Sequence, residues 1–178
     1  WPWFCARLRV GSTPSESSVK PPFRRLAPRP VGCLGGLMSG FPALFLDRDG
    51  NLIEDHHHTC RPEQIQPIAG VREALVASLA AGYRLFILTN QSGIGRGIFT
   101  WAQYEACNAR MLELLALPSP GILEIKAAPE RPDEPSEYRK PSPKFIREMI
   151  AKHDLDPDRS WMVGDRVTDW DAGLNAGI

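Results

Sequence analysis

Short apolar segments alternate along the chain with longer segments in which apolar residues recur at helical spacing. The apolar segments at 43–46, 83–88, 122–127 and 161–163 predict buried strands. Helical spacing predicts helices at about 70–81, 101–116 and 143–153, and a last helix from near Asp169. Strands that alternate with helices in this way predict an α/β fold with a doubly wound parallel sheet.

Local signals set the expected ends of these helices. Gly82 is expected to stop the first helix, and Thr100 with Gln103 has the sequence of a capping box at the start of the second. Ser142 is predicted to be the N-cap of the third helix, with Pro143 at its first helical position. Polar or Pro-rich loops are expected at 51–67 and 128–141.

Composition favours one globular domain. The chain has 178 residues, of which 43% are hydrophobic, and none of its apolar runs is long enough for a membrane span. The formal net charge is zero. Residues 1–38 hold six Lys or Arg and one Glu, so residues 39–178 hold fifteen basic and twenty acidic residues. An acidic domain gives no support to nucleic-acid binding, and we expect neither a nucleic acid nor a membrane as partner.

The four cysteines, at positions 5, 33, 60 and 107, form no C-x-x-C pair. They suggest neither a disulfide framework nor a zinc site, and we expect a reducing, cytoplasmic location.

The segment 1–38 differs from the rest of the chain. It is rich in Pro, Arg and Ser and has no hydrophobic periodicity. We interpret it as disordered or as upstream sequence translated in frame, because Met38-Ser39-Gly40 stands just before the first strand. A transit-like leader is the alternative. The folded domain is expected to span residues 39–178.

Two acids follow the first predicted strand in the sequence Asp47-Arg48-Asp49-Gly50. The carboxyl end of a strand in an open α/β sheet is where ligands bind. Carboxylates this close should share a cation or take different protonation states. A calcium loop does not fit, because Leu52 and His58 stand where an EF-hand needs Gly and Glu. A simple Asp-Gly turn remains the alternative reading of this motif alone.

Other polar residues are expected at the same edge of the sheet. Taken singly, Thr89 could end a strand, Lys140 could be a surface lysine, and Asp165 and Asp169 could start a helix. Together they suit a phosphoryl group with Mg²⁺, since hard oxygen ligands select this ion and cations neutralise phosphoryl oxygens. The glycines that follow the second strand lack the dinucleotide-binding pattern, because position 98 is Ile. The polar residues are Thr89, Asn90, Gln91 and Ser92 after the second strand, Arg139 and Lys140 before a helix, and Asp165 and Asp169 after the fourth strand.

Four segments, FLDRDGNLIED, LTNQSGIGRG, YRKPSP and VGDRVTD, resemble the four motifs of the haloacid dehalogenase (HAD) superfamily. They are most similar to the subgroup that contains D,D-heptose 1,7-bisphosphate phosphatase and histidinol-phosphatase, and the resemblance covers about 41–178. It implies a Rossmann-like core with strand order 5-4-1-2-3. It also implies Mg²⁺-dependent phosphatase chemistry through an aspartyl-phosphate.

The resemblance also implies roles for residues. Asp47 would be the nucleophile, and Asp49 would be the general acid and then the base. Thr89 and Lys140 would hold the phosphoryl oxygens. Mg²⁺ would be bound by Asp47, the Asp49 carbonyl and Asp165, with Asp169 orienting these ligands. The substrate would be bordered by Asp55, His56, His57, His58, Asn90, Gln91, Ser92, Arg139 and Arg166.

Two departures from the subgroup stand out. Many members bind zinc through a Cys/His loop before the Arg-Lys pair, but residues 127–138 contain neither Cys nor His. Adjacent histidines in a polar loop point in different directions, so His56 to His58 beside Cys60 are not expected to replace that site, and we expect no zinc. The family would continue past Ile178 into a fifth strand, so we expect a truncated domain whose fourth strand lies at an edge.

The expected function is that of a monomeric phosphatase without a cap domain, acting on a small phosphorylated metabolite. The connections at 51–83 and 93–125 are too short for a cap. We favour D-glycero-D-manno-heptose 1,7-bisphosphate, because Arg139 and Arg166 suit a second phosphate better than the amine of histidinol phosphate. Histidinol phosphate is the alternative. More distant are a nucleic-acid 3′-phosphatase and a receiver-like phosphate sensor, whose third strand would need Asp where this one ends in Ala127-Ala128-Pro129.

Overall fold

The computed structural model describes residues 40–178, so the expectation for residues 1–38 lies outside the described part. The sheet has four parallel strands in the order β3-β2-β1-β4. Leu46 pairs with Ile87 on one side and with Val163 on the other, so β1 is central. The predicted doubly wound parallel sheet is confirmed. Its strands are β1 (Ala43–Leu46), β2 (Arg84–Asn90), β3 (Ile122–Ala128) and β4 (Trp161–Val163).

Five helices connect or follow these strands, and two short 3₁₀ turns lie in the loops. Neither of the connections β1–β2 and β2–β3 contains a separate cap domain. No helix in the range 40–178 has the length and apolar character that crossing a membrane requires. The helices are α1 (Val71–Ala80), α2 (Ser92–Gly95), α3 (Trp101–Leu115), α4 (Lys144–His153) and α5 (Val167–Ala176), and the turns are Pro62–Gln64 and Pro157–Arg159.

The core lies on both faces of the sheet, because successive residues of a strand point to opposite sides. Leu85 and Ile87 of β2 pack with residues of α1 and α3. Phe86 and Leu88 pack on the other face with residues of α4 and α5. All four of these β2 side chains are fully buried. The uninterrupted apolar run in β2 is therefore explained by helices on both faces.

The predicted end of α1 and the predicted start of α3 are confirmed. The Thr100 side chain accepts from the Gln103 backbone at 3.2 Å, and Gln103 Oε1 accepts from the Thr100 N–H at 2.9 Å, which completes the capping box of α3. Gly82 follows the end of α1 with φ of +87°, in the left-handed region that glycine adopts without strain.

Two predicted helix starts differ from the observed ones, and one short helix was not predicted. The helix α4 begins at Lys144, so Ser142 is not its N-cap, although Ser142 Oγ accepts from the Lys144 N–H at 3.3 Å. The helix α5 begins at Val167, because Asp169 at its third position accepts from the Arg166 N–H at 3.0 Å and closes the first turn. The helix α2 was not predicted, since four residues are too few to show helical spacing.

As expected, β4 lies at an edge of the sheet within the described residues. It pairs only with β1, and Trp161 at its start is 60% exposed. The Asp47 N–H donates to Val163 O at 2.9 Å just beyond β1. This bond carries the β1–β4 pairing up to the first acid of the site.

Candidate active site

A polar cavity of about 520 Å³ opens at the carboxyl ends of β1 and β2. The loop that precedes α4 and the first turn of α5 complete its walls. Ligand sites of open α/β sheets lie at this edge. The lining residues are Asp47, Asp49, Asp55, His57, His58, Thr59, Thr89, Asn90, Gln91, Ser92, Gly93, Arg96, Lys140, Arg166, Thr168 and Asp169.

Lys140 bridges two buried acids at the base of this cavity. Its Nζ lies 2.7 Å from Asp47 Oδ1 and 2.5 Å from Asp169 Oδ1. Lys140 and Asp47 are 3% and 5% exposed, and Asp169 is fully buried. Buried charges are tolerated when they are paired, so the three side chains form one electrostatic unit.

Burial raises the pKa of Asp47 above its usual range. The Lys140 ammonium acts in the opposite direction, and the Asp169 carboxylate raises the pKa further. The single positive charge of Lys140 therefore does not balance the two negative charges that Asp47 and Asp169 carry when both are ionised. The imbalance favours a further cation beside Asp47.

A metal ion fits this position. Carboxylate oxygens of Asp47, Asp165 and Asp169 lie within 4.8 Å of one another. The group contains no His or Cys, and a donor set of oxygens alone suits Mg²⁺ or Ca²⁺ rather than zinc. Gly164 leaves room for the group, since a Cβ there would overlap the Asp169 carboxylate.

Asp49 stands between a side-chain amide and a guanidinium. Gln91 Nε2 donates to Asp49 Oδ2 at 2.6 Å and also lies 2.9 Å from Thr89 Oγ1. On the other side, Arg48 donates to both Asp49 oxygens, from Nε at 3.1 Å and from Nη2 at 3.0 Å. Gln91 thus connects the second acid of the Asp-x-Asp pair to the hydroxyl that ends β2.

Asp55, His57, His58 and Arg166 line one side of the cavity. Arg166 Nη2 lies 3.3 Å from Asp55 Oδ2, so the two side chains form an ion pair in the wall of the cavity. The His57 N–H donates to Asp55 Oδ1 at 2.7 Å, and His57 has a positive φ of 65°. Arg166 is the more exposed partner of this pair, with 60% of its side chain exposed against 29% for Asp55.

The structure brings most of the predicted site residues to the cavity. Three of them, His56, Arg139 and Asp165, are not in its lining. Asp165 lies beside the acids of the metal group, whereas the Arg139 guanidinium donates to Glu130 O at 2.9 Å. Burial lowers the pKa of Arg139, and the Arg96 charge lowers it further. The predicted contact between Arg139 and substrate therefore has no support from its position.

Several residues at the site were not predicted from the sequence. Thr59, Gly93, Arg96 and Thr168 line the cavity. Arg48 is buried behind Asp49. Two signals were available: Arg96 is the single cation of the polar segment that follows β2, and an arginine between two acids is placed to pair with one of them.

Comparison with known proteins agrees with this geometry. Residues 137–178 match the model of the HAD-hydrolase-like family. A D-glycero-β-D-manno-heptose-1,7-bisphosphate 7-phosphatase of Helicobacter pylori is 36% identical over 140 residues, which cover 76% of this chain and 79% of that protein. The enzyme of the same name from Pasteurella multocida is 39% identical over 142 residues, which cover 76% of this chain and 77% of that protein.

The chain belongs to this family of HAD phosphatases. The solved structure of D,D-heptose 1,7-bisphosphate phosphatase from B. bronchiseptica, complexed with magnesium and phosphate, is similar with a TM-score of 0.67. It is 29% identical, and the match covers 76% of each chain. The resemblance stated from the motifs, the fold class and the prediction of a phosphatase are confirmed. This HAD phosphatase is a hydrolase of phosphate esters.

Proposed function

We propose that this HAD phosphatase is a Mg²⁺-dependent enzyme that removes a phosphoryl group from D-glycero-D-manno-heptose 1,7-bisphosphate through an aspartyl-phosphate. The observation that carries the proposal is the buried Asp47–Lys140 pair at 2.7 Å, which opens into the polar cavity. The names of the relatives support the choice of sugar bisphosphate.

In the first step, a carboxylate oxygen of Asp47 attacks phosphorus and forms an acyl-phosphate bond. The ester P–O bond breaks, and the leaving oxygen takes its electron pair and a proton from the Asp49 carboxyl. Lys140 donates to non-bridging phosphoryl oxygens, and the Thr89 hydroxyl donates to another. These donors are held in place before reaction, so little reorganisation is needed in the transition state.

In the second step, water attacks the phosphorus of the aspartyl-phosphate and gives a proton to the Asp49 carboxylate. The acyl-phosphate bond breaks, Asp47 recovers its carboxylate, and inorganic phosphate leaves. Asp49 has regained its proton and can act again as an acid. Its position beside Gln91, which also contacts Thr89, keeps it next to the phosphoryl site.

Asp47 and Asp165 would hold the magnesium ion, with Asp169 beside them. When bound, Mg²⁺ supplies positive charge that stabilises the phosphoryl oxygens. Lys140 keeps the Asp47 carboxylate oriented by its contact with Oδ1. The carboxyl of Asp169, bonded to the Arg166 N–H, fixes Lys140 from the other side.

The rim of the cavity favours a second anionic group. Arg96 and Arg166 both line it, and the exposed Arg166 can turn away from Asp55. Guanidinium groups bind phosphate with paired, geometrically matched hydrogen bonds. Histidinol phosphate, the second candidate, would bring a cationic amine toward these arginines, which disfavours it.

The direct test is a phosphate-release assay on purified protein. We expect turnover of the heptose bisphosphate to exceed turnover of histidinol phosphate, and Asp47→Asn to reduce both to background. Asp158→Asn is the matched control, because Asp158 is an exposed acid outside the cavity. Wild-type rates in Asp47→Asn would refute the aspartyl-phosphate, and faster turnover of histidinol phosphate would refute the substrate.

A further inference from the structure

Arg48 is a fully buried arginine between the two acids of the Asp-x-Asp pair. Its side chain is 1% exposed. The guanidinium forms two hydrogen bonds with the Asp49 carboxylate, from Nε to Oδ2 at 3.1 Å and from Nη2 to Oδ1 at 3.0 Å. Such a fork fixes both the position and the plane of the carboxylate. Within residues 40–178, Asp49 is the only acid that forms a salt bridge with Arg48.

The far side of the guanidinium is anchored by α3. Arg48 Nη1 donates to Asn108 Oδ1 at 3.0 Å. The guanidinium carbon lies 5.0 Å from the centroid of the Tyr104 ring, within the range of a cation–π contact. Tyr104 and Asn108 are four residues apart on one face of the helix and are 4% and 9% exposed. The helix therefore holds Arg48 in one orientation.

Among residues 40–178, three donors reach the Asp49 carboxyl. Oδ2 accepts from Arg48 Nε and from Gln91 Nε2, whereas Oδ1 accepts only from Arg48 Nη2. A carboxylate has about four acceptor sites. The open site is on Oδ1, so the contacts select which oxygen is available to carry a proton.

The backbone of Arg48 accounts for the local turn without its side chain. The Arg48 carbonyl accepts from the N–H groups of Leu52 at 2.9 Å and Ile53 at 3.2 Å. Any residue at position 48 could provide this carbonyl. The buried guanidinium therefore contacts Asp49 and α3 and is not needed to close the loop.

We propose that Arg48, anchored by Asn108 and Tyr104, is a positioning residue that orients the Asp49 carboxyl for proton transfer. The proposal rests on the proposed function, since it assumes that Asp49 protonates the leaving oxygen. It assigns α3, which lies outside the four motifs, a part in the chemistry. Arg48 itself does not touch the substrate.

The test compares two leaving groups. A sugar phosphate leaves as an alkoxide and needs a proton, whereas p-nitrophenyl phosphate leaves as a stable phenolate and needs none. The ratio kcat/KM reports the first step, phosphoryl transfer to Asp47. For the sugar phosphate, Arg48→Met should lower kcat/KM by roughly 10- to 100-fold, because a misoriented general acid loses part of its contribution to the rate. For p-nitrophenyl phosphate we expect a change of less than about threefold. Equal losses on both substrates would overturn the proposal.

Arg48→Lys and a double variant sharpen the result. Lysine keeps the charge but loses the fork, so Arg48→Lys should lie between wild type and Arg48→Met. When Asp49→Asn is already present, adding Arg48→Met should lower kcat/KM little further, because the carboxyl that Arg48 orients is already absent. A full additional loss in that background would show that Arg48 is merely structural and would overturn the proposal.

Two further variants keep the test decisive. If Arg48→Met does not fold, Asn108→Ala removes the anchor without changing the Asp-x-Asp loop, and it should show the same selectivity between substrates. Arg110→Met is the matched control, because Arg110 lies on α3 with a side chain 42% exposed that, within residues 40–178, pairs only with Glu113. An inactive wild type, or an active Asp47→Asn, would count against the proposed function and is distinguishable from failure of the Arg48 variants alone.

Discussion

The side-chain amide of Asn90 bonds both polar groups of the Lys140 backbone. Its Nδ2 donates to Lys140 O at 3.1 Å, and its Oδ1 accepts from the Lys140 N–H at 2.9 Å. The residue that follows Thr89 at the end of β2 thus holds the loop that delivers the bridging lysine. Asn90 was predicted to border the substrate. It lines the cavity, but its hydrogen bonds make it a positioning residue for Lys140.

We predict that Asn90→Ala weakens the binding of every phosphate compound. Loss of two hydrogen bonds at about 1 kcal/mol each should lower kcat/KM by roughly 30-fold. Inhibition by inorganic phosphate should weaken as well, because Lys140 is the residue proposed to hold the phosphoryl oxygens. Asn175→Ala is the control, since the exposed Asn175 amide donates to the Pro141 carbonyl at 3.2 Å and, in the part of the chain that the structure describes, to no other group. An unchanged inhibition constant for phosphate would instead assign Asn90 to the sugar.

Arg96 and Arg139 should differ in their effect on the second phosphate. Arg96→Met is expected to raise KM for the heptose bisphosphate by about tenfold, because one charge-assisted hydrogen bond is lost. KM for a sugar monophosphate should stay nearly unchanged. Arg139→Met should change neither value by as much, because its guanidinium is bonded to the Glu130 carbonyl. Steady-state kinetics on both substrates checks this. A larger effect at Arg139 would restore the assignment made from sequence.

Much of the fold and of the site follows from the sequence for a physical reason. The apolar run Leu85–Leu88 predicts a strand covered on both faces, and polar residues directly after such strands are brought to one edge by parallel pairing. Asp47, Thr89 and Asp169 were therefore identified from local patterns. The order of the strands in the sheet was implied by the resemblance to the HAD superfamily, and the four strands within residues 40–178 follow it.

The direction in which each side chain points could not be predicted from these sequence patterns. The adjacent residues Arg139 and Lys140 differ completely, because the backbone held by Asn90 turns only the lysine into the cavity. The local sequence indicates that Arg48 could pair with an adjacent acid, but not that Asn108 and Tyr104, about sixty residues further along the chain, would anchor it. The four-residue helix α2 likewise depends on contacts outside its own sequence: Gly95 donates to the Pro129 carbonyl at 3.1 Å.

Activity should require Mg²⁺, and the purified protein should contain no stoichiometric zinc. Chelation is expected to abolish turnover and to lower the melting temperature, and added Mg²⁺ should restore both. At a hundred times its Kd, the ion would stabilise the fold by about 2.7 kcal/mol. Asp165→Asn should raise the Mg²⁺ concentration for half-maximal activity, whereas Asp171→Asn, outside the acidic group, should not. Elemental analysis that finds one zinc per chain would contradict the prediction.

Without metal, the wild-type protein should lose stability relative to the Asp47→Asn variant as the pH rises. The pKa of Asp47 is raised in the folded state by burial, against the attraction of Lys140. A carboxyl whose pKa is raised on folding stabilises the protein below the unfolded-state pKa of about 3.9, and this contribution is lost as the pH rises through the folded value. Asparagine carries no such charge, and Lys140 keeps Asp169 as its partner in the variant.

Thermal melts of the chelated proteins between about pH 4 and pH 8 measure this difference. Asp47→Asn should melt above wild type at the upper end, and a difference of 1 kcal/mol corresponds to about 4 °C in a domain of this size. The gap should close toward the lower end, and Asp158→Asn should show no such trend, because that side chain is exposed. Mg²⁺ should favour wild type, which retains the carboxylate ligand. If metal-free wild type is the more stable at about pH 8, the Lys140 ion pair outweighs the cost of burying Asp47.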